Sequence, residues 1–224
     1  MSIGLIRMSI GMFRWYAPDA NYRRAASNRL KEHFPDTSGQ VWRSTCTWQS
    51  RLEPNRPRYS SSVNDMMRYV EWSCALYRAL QEYGMSQAEA GTLVETIMVD
   101  IYGPVPVFMF KMSRLRSGKR ETRVKWLLGS LTKHFYTDPF DHRHLPSETG
   151  VAFDVTLCPL ADYLKDQGVP ELTPHAACNL DYCAARAFGV DLVRTQTIAD
   201  GAEYCDFRWK FPADRERAKK AGQS

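Results

Sequence analysis

The sequence predicts an α+β protein, with a helical N-terminal half packed on a C-terminal antiparallel sheet that carries two helices. Three observations carry this reading. Between Ala20 and Phe135 apolar residues recur three and four apart, the period of a helix with one buried face. Beyond residue 150 the period drops to two in three short stretches, as in strands. Helix-stopping Gly and Pro residues punctuate the space between those stretches. At 224 residues the chain is long enough to bury a core without disulfide or metal staples. We divide it into an N-terminal helix and irregular connection (1–62), a single α+β domain (63–212) and a flexible basic tail (213–224).

The first twenty residues have apolar runs broken by Arg7 and Arg14, too short for a secretory core and without a small-residue cleavage site. Met1-Ser-Ile-Gly is echoed by Met8-Ser-Ile-Gly, which makes Met8 or Met12 alternative starts. Ala20 to Phe34 has helical spacing through Tyr22, Ala25, Ala26, Leu30 and Phe34, ending at Pro35. Asp36 to Ser62, rich in Ser, Arg, Pro and Asn, reads as a long irregular connection with some order at Trp42 and Trp48. A helix follows, capped at Ser62 or Asn64, with Met67, Val70, Cys74, Tyr77 and Leu80 as its stripe up to Gly84. Cys74 belongs to that stripe and reads as a core thiol.

Ser86-Gln-Ala-Glu89 has the form of a capping box, opening a helix that Gly103 and Pro104 stop near Tyr102. The most membrane-like window, Leu93 to Phe110, carries Glu95, Asp100, Gly103, Pro104 and Pro106, so we read it as a buried segment and expect no membrane partner. An apolar segment (Val105 to Met112) and an amphipathic helix (Arg120 to Phe135) complete a half in which the sequence shows no chemistry. Net charge is +5, much of it in Lys111 to Lys125 and in the tail. Such a run is usually a solvated face, and no nucleic-acid partner is expected. Tyr136 to Pro146 reads as a polar, proline-bounded loop, although Asp138, Asp141, His142 and His144 are possible metal ligands.

In the C-terminal half Val151 to Leu157 alternates as a strand and ends at Cys158, with Pro159 in the first turn of the next helix. That helix stops near Gly168. Thr173 then caps a second helix, Pro174 to Phe188, closed by Gly189. Val190 to Ile198 and Glu203 to Phe211 flank Asp200-Gly201, a hairpin signal. A two-residue turn there sets Gln196 opposite Cys205 and Arg194 opposite Phe207. The last strand then turns Cys205, Phe207, Trp209 and Phe211 inward, with Arg194 on the same face. A buried guanidinium needs an acidic partner. Two kinds fit: a protein carboxylate, Asp181 or Asp154, or the carboxylate of a substrate.

On the helix from Pro174, residues His175, Cys178, Asp181 and Tyr182 are three or four apart and would share a face. Cys183 points away and reads as core. A first-turn His175 is held neutral by the helix dipole, and a neutral imidazole near a thiol suits an activated nucleophile. Cys158, at a helix start, has first-turn amides to stabilise its thiolate. The competing reading is zinc held by Cys158, Cys178 and Cys205 with His175, although no Cys-x-x-Cys pair is present. Six cysteines without an export signal read as reduced thiols in the cytoplasm.

Together Cys158-Pro, Cys178-x-x-Asp181, Arg194-Thr-x-Thr197, Gly201 and Cys205-Asp-Phe207-Arg resemble the C-terminal signature of the L-2-amino-thiazoline-4-carboxylic acid hydrolase family. The resemblance spans Val151 to Trp209 and is loose upstream. It implies hydrolysis of a carbon–nitrogen bond in a small carboxylated cyclic amidine such as 2-aminothiazoline-4-carboxylate, giving a carbamoyl cysteine. On that reading Cys178 is the nucleophile, with Cys158 second, and Asp181 or His175 protonates the departing nitrogen. Arg194 takes the carboxylate, with Cys205, Gln196 and Phe207 around the substrate. No cofactor is implied beyond the zinc alternative. A fainter likeness to 4-vinyl reductase domains gives the other reading, a non-enzymatic sensory or ligand-binding module with a cysteine metal site.

Overall fold

The computed structural model describes residues 18–148 and 150–211. The readings on the first residues and on the basic tail lie outside them. The fold is α+β, a helical N-terminal half and a four-stranded antiparallel sheet in the C-terminal half. The described residues form two compact units, one of residues 18–104 and 160–180, the other of residues 105–159 and 181–211.

The first unit is helical: α1 (Pro18–His33), α2 (Ser38–Leu52), α3 (Ser61–Glu82), α4 (Gln87–Tyr102) and most of α7 (Pro159–Asp166). Helix α3 buries the whole predicted stripe, and its neighbours add Tyr22, Leu30, Val94, Ile97, Met98 and Leu164. Each such side chain contributes roughly 1.5–3 kcal/mol over its exposed state. Cys74 is buried, and burial pushes its thiol up. The capping box forms as read, with Ser86 Oγ accepting from Glu89 N and the Glu89 carboxylate accepting from Ser86 N.

Where an irregular connection is expected, the chain forms α2 and a short 3-10 turn. The buried stripe of α2 is Val41, Thr45, Gln49 and Leu52, half of it polar, so apolar periodicity misses it. Thr45 Oγ1 donates to Val41 O, Gln49 Nε2 donates to the buried Glu71, and Trp42 stacks on Trp72 with ring centroids 5.4 Å apart. Arg56 completes the site, its Nη1 2.8 Å from Glu71 Oε1.

The second unit holds α5 (Pro104–Met112, from its second residue), α6 (Arg120–His134), most of α8 (Leu180–Phe188), and the sheet. Strands β1 (Asp141–Leu145), β2 (Gly150–Leu157), β3 (Asp191–Val193) and β4 (Cys205–Lys210) stand in the order β1-β2-β4-β3, each pair antiparallel. Strand β1 replaces part of the expected loop. Its polar residues suit an edge: Arg143 pairs with the buried Asp154 of β2, which also takes Arg208 of β4. Strand β2 is central, burying Phe153 and Val155 on one side and Ala152 and Asp154 on the other. Phe153 and Phe207 face each other in the register and stack at 4.9 Å. Cys205, Phe207, Trp209 and Phe211 are all buried, the inner face read from the sequence.

Helical residues run on from Gln87 to Leu115, long and apolar enough by length and composition to cross a membrane. The expected burial of this window holds for Leu93, Val94, Ile97 and Met98 of α4, but no residue of α5 is buried.

Candidate active site

The β3–β4 connection positions the first cluster. Asp191 faces Lys210 and Val193 faces Arg208, the register that the sequence implies, but the ladder stops at Val193. The cause is Asp206. Its carboxylate accepts from Thr195 N (2.8 Å), Gln196 N (2.9 Å) and Thr195 Oγ1 (2.8 Å), so amides that would continue the ladder bond a side chain instead. Burial raises the Asp206 carboxyl, and these donors more than reverse it, leaving the group below its ordinary value. Asp200-Gly201 is therefore not a two-residue hairpin turn. Ile198–Asp200 is a 3-10 turn with Thr197 Oγ1 accepting from Asp200 N, and Gly201 takes φ +89°.

Arg194 leaves the ladder pointing inward. Its side chain is 4% exposed, with the guanidinium 5.2 Å from the ring centroids of both Tyr182 and Phe207. Its Nη1 donates to Asp181 Oδ2 at 3.0 Å, so of the two protein carboxylates considered the partner is Asp181. Burial pushes the Asp181 carboxyl up to about 6, against the pull of Arg194 and a hydrogen bond with Tyr136. Cys205 is buried beside this pair, its Sγ accepting from Ile198 N at 3.2 Å. Burial holds its thiol above the ordinary range, so at neutral pH it keeps its proton. Gln196 adds its carbonyl, which accepts from Asp206 N at 3.4 Å. Cys158, half-buried, joins β2 to α7.

The second cluster belongs to the helical unit. The helix expected from Pro174 to Phe188 is not continuous: Pro174–Cys178 is a π turn, closed by Asn179 N donating to Pro174 O at 2.9 Å, and α8 starts at Leu180. Thr173 has helical dihedrals and makes no side-chain cap. The wider turn voids the 3.6-residue spacing that put His175, Cys178, Asp181 and Tyr182 on one face. It brings His175 and Asn179 together: His175 Nδ1 and Asn179 Nδ2 each stand 2.8 Å from Glu95 Oε2 of α4. A carboxylate only accepts, so His175 donates from Nδ1. Gly91, one turn before Glu95, makes room for it, since a Cβ there would lie 2.8 Å from His175 Cδ2. Cys178 closes the same π turn and is half-buried.

The model of the L-2-amino-thiazoline-4-carboxylic acid hydrolase family matches residues 66–209, well over half of the chain. The chain belongs to that family. Comparison with curated proteins finds no match. Every residue of both clusters lies within the family match, which extends well upstream of the C-terminal signature and takes in most of α3 and all of α4. The family's name is that of a hydrolase, and so of an enzyme with a small-molecule substrate.

In this family member Arg194, Asp181, Cys205 and Phe207 share one unit, whereas His175 and Cys178 belong to the other. Sequence reasoning missed Glu95, Gly91 and Asn179, having found no chemistry in the N-terminal half. The only signal was Glu95 itself, an acid one turn after a glycine in an apolar helix. It also missed Tyr136 and the structural role of Asp206. Among the described residues no group of three or more His, Cys, Asp or Glu is arranged to hold a metal ion. The set of Asp138, Asp141, His142 and His144 is therefore not assembled.

Proposed function

We propose that the protein hydrolyses a small carboxylated cyclic amidine of the 2-aminothiazoline-4-carboxylate type. The supporting observation is the Arg194–Asp181 pair, in which a 4% exposed Arg194 side chain lies between Tyr182 and Phe207. The guanidinium is a bidentate receptor for a carboxylate, and the aromatic walls suit a flat ring. A carboxyl near 6 shares its proton readily at neutral pH, so Asp181 can yield Arg194 to the substrate. In 2-aminothiazoline-4-carboxylate the carbon bearing the carboxylate is bonded to the ring nitrogen. A group beside the carboxylate anchor is thus beside that nitrogen, and Asp181 is the acid that protonates it.

A cysteine thiolate attacks the amidine carbon, the ring carbon–nitrogen bond breaks with the proton from Asp181, and water then displaces the enzyme sulfur. Substrate plus one water gives S-carbamoylcysteine. Nitrogen needs this protonation to leave, whereas a ring thiolate does not, so an acid of this strength favours carbon–nitrogen cleavage. Cys205, buried and protonated, contacts the substrate with Gln196 and Phe207. Cys178, which shares its turn with His175, is the proposed nucleophile, and Cys158 the second candidate. The scheme uses no metal or cofactor, and its reduced thiols suit the cytoplasm.

The test is turnover of 2-aminothiazoline-4-carboxylate by wild type and by Arg194→Lys, Cys158→Ser, Cys178→Ser and Cys205→Ser. Arg194→Lys is expected to raise KM about tenfold or more through loss of the planar fork. One serine variant alone should abolish ring opening. No turnover of any carboxylated cyclic amidine by folded protein would overturn the assignment. An early product with a free thiol would be N-carbamoylcysteine, and would show that the carbon–sulfur bond is the one cleaved.

A further inference from the structure

Helix α5 turns apolar side chains outward. Its sequence, Pro-Val-Pro-Val-Phe-Met-Phe-Lys-Met, has one charged residue, yet none of the nine is buried. Its exposed positions are Pro104, Val107, Phe108 and Lys111, spaced three and four apart and so on one face. Val107 is 41% exposed and Phe108 39%, and Leu115, in the 3-10 turn that follows, is 73% exposed. The inward side is satisfied separately. Phe110 packs on Phe188 at 5.7 Å and lies under the Arg123 guanidinium at 4.2 Å. The chain then presents Lys111, Arg114, Arg116, Lys119 and Arg120, all exposed, and has no acidic residue between 101 and 120.

We propose that this face docks the protein on an anionic lipid bilayer, with α5 lying in the interface, Val107, Phe108 and Leu115 inserted, and the five cations against lipid phosphates and carboxylates. Apolar residues flanked by exposed cations are the composition of an interfacial helix. Charge excludes a second copy as the occupant, since self-association through this face would bring two like-charged clusters together. Nucleic acid would use the cations but has no role for Val107 and Leu115. Spanning is excluded because Leu93, Val94, Ile97 and Met98 are committed to the core of their own unit. Such docking departs from the expectation of no membrane partner, which rests on a window unsuited to crossing a bilayer; lying on one is a separate physical state.

The test is co-sedimentation of the full chain with vesicles of phosphatidylcholine alone and of phosphatidylcholine with phosphatidylserine, at low and physiological salt. Binding is expected only to the anionic vesicles, weakening with salt. Arg114→Gln and Arg116→Gln should each weaken it about fivefold. Phe108→Ser/Leu115→Ser should weaken it at least tenfold while leaving the circular dichroism melt unchanged. Leu115→Ser alone, at the most exposed position, keeps the test valid if the double variant folds poorly. No sedimentation with anionic vesicles, or undiminished sedimentation of the serine variants, overturns the proposal. So does self-association that the same variants abolish, or duplex DNA binding that Phe108→Ser/Leu115→Ser leaves intact in place of vesicle binding.

Discussion

Asp206 is buried and Asp181 half-buried in the same unit, with opposite shifts, and the difference lies in their donors. Asp206 faces two backbone amides and a hydroxyl that favour its charge, while Asp181 meets Arg194 and Tyr136 in surroundings whose desolvation outweighs them. Their effects on stability have opposite signs. Asp181 binds its proton more tightly folded than unfolded, so its contribution is full below the ordinary carboxylate value and is lost as pH rises through about 6. Asp206 contributes above its ordinary value and is lost as pH falls through its lowered one. Denaturant unfolding of wild type and Asp181→Asn should therefore diverge between about pH 4 and about pH 6, with wild type losing ground as pH rises. A constant difference would mean that Asp181 is not shifted. Substituting Asp206→Ala, which strands the amides of Thr195 and Gln196, should cost about 3 kcal/mol. Substituting Asp206→Asn, which keeps an acceptor, should cost less, and the same unfolding curves measure both.

At the scale of elements, helix and strand boundaries follow apolar periodicity until a polar group takes over a backbone bond. The register of β3 on β4 is readable from Asp200-Gly201 and the alternating residues around it, because both set the inner face. The end of β3 is not readable, since it depends on Asp206 reaching back across the turn. In α2 the polar Thr45 is satisfied by the carbonyl of Val41 one turn back, and Gln49 by Glu71, a partner that only the tertiary structure supplies. The π turn is the costliest omission. Thr173-Pro174 looks like an ordinary helix start, and nothing local signals an i to i+5 bond or the contact between His175 and Glu95. Gly91→Ala tests that contact. A methyl group 2.8 Å from the imidazole must push it off Glu95, and overpacking typically costs 1–3 kcal/mol, offset by about 1 kcal/mol of helix propensity. A small net loss of stability is expected, with moved His175 imidazole resonances by NMR. Unmoved resonances would show that the ring does not need that space.

For the whole molecule, the fold class and family are legible because they rest on patterns repeated over many residues. The clusters are only half legible because each needs a contact distant in sequence: that Arg194 needs an acidic partner followed from burial and charge, with Asp181 one of several open choices, whereas Glu95 with His175 followed from nothing local. The same distinction governs the thiols. Cys74 lies in an apolar stripe and Cys205 on an alternating strand, so their burial is readable, as is that of Cys183. Cys46, Cys158 and Cys178 are half-buried, and no disulfide joins any of the six. Titration of native protein with an aromatic disulfide reagent should therefore modify at most these three, with Cys46 slowed because burial raises its thiol. Denaturation without reductant should release all six. Fewer would reveal a disulfide absent from this structure. Early modification of Cys74, Cys183 or Cys205 would mean that the surrounding core opens far more readily than its burial implies. Peptide mapping of the fastest site then bears on catalysis, since a thiol deprotonated for attack on an amidine should also be the first to meet the reagent.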